Sequence, residues 1–66
     1  MAEWMPKKGE EWSIKGEVFT FEEIEERPGK MERLIFKNAR TILKAPILAW
    51  HNDFLGKKVR RVKRRK

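Results

Sequence analysis

At Arg27-Pro28-Gly29-Lys30 the chain carries a turn signal set between two runs of apolar and β-branched residues. Proline fixes φ for the first central position of a type II turn, and glycine accepts the positive φ that the second requires. A hairpin tip here dictates the partners on either side. With a bulge at Glu22-Glu23, Ile24 stands opposite Leu34, Glu25 opposite Arg33 and Phe21 opposite Phe36, all favourable cross-strand pairs. Upstream, Trp12, Ile14, Val18, Phe19, Phe21 and Ile24 give the composition of a long strand from Glu10 onward, with Gly16 marking a bend, bulge or close backbone approach. Downstream, Asn38-Ala39 predicts a short turn between strands over Arg33–Lys37 and Arg40–Lys44.

Two helical alternatives compete with the hairpin. Met31, Leu34, Ile35, Ala39, Ile42 and Leu43 fall at helical spacing. Thr20-Phe21-Glu22-Glu23 also has the form of a capping box, so a helix-turn-helix is the second rival. In the strand reading alone, turn chemistry, strand length and the aromatic pair agree. Phe36 is badly placed on the helix and well placed on the strand.

After Pro46, the stretch from Ile47 to Leu55 reads as a turn with one helical turn, carrying Trp50, Phe54 and Leu55 inward and ended by Gly56. Lys57 to Lys63 reads as a closing strand, whose Val59 and Val62 lie on opposite faces and so imply a bulge or partial pairing. The expected fold is mainly all-β with one short helical turn. It is either a small five-stranded barrel, resembling in element order the oligonucleotide-binding kind, or a twisted antiparallel sheet with a long N-terminal hairpin. Residues 1–9 read as a poorly ordered lead-in, 10–63 as a single small domain and 64–66 as a basic tail. Sixty-six residues bury only about 60% of the unfolded surface, so the core is marginal. Phe21, Phe36, Phe54 and Trp12 are its expected members.

With no cysteine and a single His51, disulfide staples and thiolate metal sites are excluded, and no cofactor is implied. The longest apolar stretch, Ala45 to Trp50, is far short of the roughly 20 residues that span a bilayer. A cytoplasmic location is expected, and the Lys, Arg and Glu bias without Gln fits a thermophile. Catalysis has little to work with. His51 and Asp53 form the one loop pair suited to acid–base work, and they read instead as loop-capping residues.

Charge is the functional signal. Residues 1–32 hold five basic and nine acidic side chains, net −4, while 33–66 hold twelve basic and one acidic, net +11, summing to +7. Such a cationic half is relieved by a polyanion. The expectation is a non-enzymatic, largely sequence-independent module for DNA or RNA, gripping phosphate through Lys57, Lys58, Arg60, Arg61, Lys63, Arg64 and Arg65, with Arg40 and Lys44 adjoining. Trp4 or Trp50 is the aromatic expected to remain exposed for stacking or an interface. The alternative partner is an acidic protein surface, docked by the basic end with Ile47, Leu48 and Trp50 as apolar anchor.

Overall fold

The computed structural model describes residues 3–62. The elements run β1 (Glu11–Ile14), β2 (Glu17–Arg27), β3 (Lys30–Lys37), β4 (Ile42–Pro46), α1 (Ile47–Leu55) and β5 (Val59–Arg61). All strand pairs are antiparallel, in the order β4-β3-β2-β1-β5. Because β4 and β5 do not pair with each other, the sheet stays open, and the second of the two expected architectures is the one adopted. The helical rivals fall with it, since 17–27 and 30–37 are strands.

The central hairpin forms in the expected register. Phe21 faces Phe36, Ile24 faces Leu34 and Glu25 faces Arg33, with a register shift between Phe21 and Glu23. Gly29 has φ of 71°, as the second position of a type II turn demands. The long first strand is divided in two by Lys15-Gly16, where both residues take positive φ, 52° and 82°. That pair of angles is the two-residue hairpin turn whose twist matches the flanking strands.

One face of the sheet makes the core. Alternation along the strands sends Trp12, Ile14, Phe19, Phe21, Leu34, Phe36 and Val59 to the same side, and α1 closes that side with Trp50. Trp50 meets Trp12 edge-on at 5.0 Å and Phe36 at 4.7 Å between ring centroids, while Phe21 and Phe36 pack edge-on at 5.2 Å. Burying an indole leaves an N–H to satisfy. Trp50 Nε1 donates to the Trp4 carbonyl at 2.7 Å, which ties the segment before β1 to the helix. The same segment buries Pro6, and Gly9 N donates to Phe21 O at 2.9 Å.

The link after Pro46 departs from expectation in extent and direction. It is a nine-residue helix instead of a single turn, and Leu55 stands 64% exposed instead of inward. Ile47, Trp50 and Phe54 fall at i, i+3 and i+7, so the sheet takes that stripe. Leu48 and Leu55, also one heptad apart, are left to solvent. Phe54 is half-buried against the core. Closing the helix, Lys58 N donates to Asp53 O and Lys57 N to Phe54 O, the bond pair of a Schellman motif. The left-handed residue is Lys57, with φ of 60°, and Gly56 sits one position too early to take that role.

Candidate nucleic-acid interface

Three turns meet at one end of the sheet. Ile14 pairs with both Glu17 and Val59, and Lys37 pairs with both Thr20 and Ile42. The β1–β2 turn, the β3–β4 turn and the α1–β5 turn therefore lie side by side, opposite the Pro28-Gly29 tip. Side chains join them. Arg40 Nη1 lies 3.1 Å from Glu17 Oε2, and Lys15 and Lys58 share a hollow with Asp53, Ile14 and Val59. The β3–β4 turn is held by Asn38, whose Oδ1 accepts from Arg40 N at 2.8 Å and Thr41 N at 2.9 Å. This is the local Asx geometry that makes asparagine a turn residue.

Lys15, Lys37, Arg40, Lys57, Lys58 and Arg60 are all exposed at this end, against the carboxylates of Glu17 and Asp53. No ion pair among the described residues takes up Lys15, Lys37, Lys57, Lys58 or Arg60. The Arg40–Glu17 pair is itself a surface pair, with Arg40 81% exposed, and such pairs contribute little and exchange readily.

Of the residues singled out from sequence, Arg40, Lys57, Lys58 and Arg60 come together here. Lys44 does not. It sits further along β4 opposite Ile35, and its charge acts on Glu25 of the hairpin. Arg61 is engaged within the fold: its Cζ lies 4.9 Å from the Trp12 ring centroid, its Nε is 3.0 Å from Glu10 Oε2, and its Nη2 donates to Glu3 O at 2.8 Å. Lys63, Arg64 and Arg65 lie outside the described residues. Lys15 was not legible as a site residue, because only the β1–β2 turn brings it beside Lys58.

Neither tryptophan expected at the surface is free. Trp50 is 1% exposed because α1 is long enough to plant it between Trp12 and Phe36. Trp4 is half-buried, with its ring 4.6 Å from that of His51. His51 is thereby a packing partner of Trp4, and Asp53 O is part of the helix cap.

The opposite end of the molecule handles charge differently. Arg33 Nε donates to Glu25 Oε1 at 2.6 Å, its Nη2 meets the same oxygen, and Arg27 Nε stands 3.9 Å away. The hydrogen bonds from Arg33 hold the Glu25 carboxyl below its ordinary range against the opposing effect of desolvation, with the charges of Arg33, Lys44 and Arg27 assisting.

The chain matches no protein-family model, no curated protein and no solved structure. Among the described residues no helix is long and apolar enough to cross a membrane, and no group of carboxylates and His is placed to hold a metal ion.

Proposed function

We propose that the protein is a non-enzymatic nucleic-acid-binding module of low sequence preference, gripping phosphates with the cations of its three-turn end. The observation that carries this reading is the convergence of Lys15, Arg40, Lys57 and Lys58, from turns far apart in sequence, on one end of the sheet with few carboxylates to neutralise them. Lys and Arg displace condensed counterions from phosphate, a source of affinity that carries no base information. Low sequence preference follows from α1, whose exposed residues include Leu48, Ala49, Asn52 and Leu55 and give few donors for base edges.

The test is a binding panel of single- and double-stranded DNA and RNA at about 50 mM salt, where condensed counterions leave phosphate contacts strong. Micromolar protein is expected to shift at least one of the four. Failure to shift any of them ends the reading.

One observation favours a second reading, the docking of an acidic protein segment. Phe54, Leu55 and Val59 line an apolar groove edged by Lys57, Arg60 and Arg61. The anchor is then Leu55, not the Ile47, Leu48 and Trp50 set, whose tryptophan is buried. Leu55→Ser separates the readings: it removes the anchor and leaves every cation in place, so nucleic-acid affinity should stay unchanged.

A further inference from the structure

The outer face of the sheet, the one α1 does not cover, refines this reading and rests on it. Cross-strand partners share a face, so the registers lay out its rows. Arg60, Ser13 and Val18 form one row across β5, β1 and β2. Glu11, Thr20, Lys37 and Ile42 form the next, across β1, β2, β3 and β4. Val18 is 49% exposed and Ile42 61%. Toward the three-turn end this face is a narrow uncharged strip of Ser13, Val18 and Thr20, with Arg60 flanking it in the row of Val18 and Lys37 flanking it on the other side in the next row. Glu11 shares the row of Lys37, and farther along the face is bounded by Glu23, whose carboxylate repels phosphate.

We infer that this half of the outer face binds double-stranded DNA in preference to single strands. Two independent observations lead there. The first is spacing. Arg60 and Lys37 are three strand spacings apart across the sheet and one row apart along it, about 16 Å between backbones, a span from which their long side chains reach the two phosphate rails of a B-form major groove about 12 Å wide. Two cationic flanks around an uncharged strip match two rails around a groove. A single strand offers one rail, and duplex RNA of A form has a major groove too narrow to receive the strip.

The second is the fate of the aromatics. Affinity for single strands without sequence preference comes from bases stacked on exposed aromatic faces. All seven aromatic rings of this chain are otherwise engaged: Trp12, Phe19, Phe21, Phe36 and Trp50 are buried, and Trp4 and Phe54 pack against the core from its rim. The outer face carries none. A surface with cations and aliphatic side chains but no stacking platform recognises phosphate spacing, which only a duplex holds fixed.

The experiment compares, by fluorescence anisotropy at fixed salt, one mixed-sequence 20-base-pair DNA duplex, each of its separated strands, and the RNA duplex of the same sequence. The duplex DNA is expected to bind about tenfold or more tighter than either strand, given a counterion-release slope of about −0.9 per contact on duplex against about −0.7 on single strands. A single strand or RNA duplex bound as tightly overturns the inference while leaving nucleic-acid binding intact. No binding by any of them overturns both.

A matched pair of variants then locates the surface. Val18→Glu and Leu48→Glu each place one carboxylate at an exposed aliphatic position, the first on the outer face and the second on α1. Val18→Glu is expected to weaken duplex binding about tenfold more than Leu48→Glu, because it sets like charge against phosphate. Equal effects of the two would place the duplex elsewhere.

Discussion

The two ends of the sheet are built from the same kind of strand pairing and treat charge in opposite ways. At the hairpin tip Glu22, Glu23, Glu25, Glu26 and Glu32 are interleaved with Arg27, Lys30 and Arg33, and cross-strand register turns part of that mixture into ion pairs. At the three-turn end the cations come from separate turns and have few carboxylates near them. Charge that is paired in register belongs to the structure of the hairpin. Charge gathered from distant turns and left unpaired costs the fold something in self-repulsion, and that cost is recovered on binding an anion.

The comparison breaks first at the core that both ends share. Phe36 is fully buried and touches Phe21 from the hairpin and Trp50 from the helix. Phe36→Ala is expected to cost about 3–5 kcal/mol, enough to unfold a domain of this size. A melting temperature equal to the parent's would show that the ends do not depend on a common core.

Acid sharpens the comparison next. Glu25 has its pKa lowered by Arg33, so its contribution to stability is fully present above the ordinary carboxylate pKa and is lost as pH falls through the lowered value. Glu25→Gln is therefore expected to flatten the acid limb of a stability–pH curve. An acid limb in Glu25→Gln equal to the parent's would show that the Arg33–Glu25 pair does not hold the hairpin end together.

A smaller effect is expected at the helix stop. Lys57 holds the left-handed position that glycine occupies without steric cost. Lys57→Gly should stabilise the fold by about 0.5–1 kcal/mol, which in a domain of this size raises the melting temperature by a few degrees, roughly 4–8 °C per kcal/mol. A drop in melting temperature would show that the lysine side chain contributes to the fold as well as to the basic end.

What the sequence disclosed follows the range of the forces involved. The Pro28-Gly29 turn, the Glu22 bulge and the Phe21–Phe36 pair are local, and each constrains the next, so the hairpin could be read to the residue. The stripe Ile47, Trp50, Phe54 was present in the sequence as a helical period, but a nine-residue stretch behind a proline is too short for periodicity to separate helix from turn. Gly56 signalled the end of that helix and concealed which residue turns left-handed. The site was less legible still. Arg40 and Lys58 share an end only because β3 and β1 flank β2, and Arg61 is taken by Trp12 and Glu10 only because β5 lies beside β1. Topology of that kind leaves no mark on a short window of sequence.

The central claim, that the three-turn end carries the phosphate contacts and the hairpin none, is tested most directly by the salt dependence of binding to a DNA duplex. The unaltered protein is expected to give a log–log slope of about −4 to −7, corresponding to about five to eight phosphate contacts. Removing Lys15, Lys57 and Lys58 together by substitution with alanine should flatten the slope by about 2–3 units. The hairpin variant Arg27→Ala/Lys30→Ala, which removes two cations from the opposite end, should leave it unchanged. A triple variant with the parent's slope, or a hairpin variant that flattens it, would contradict the account.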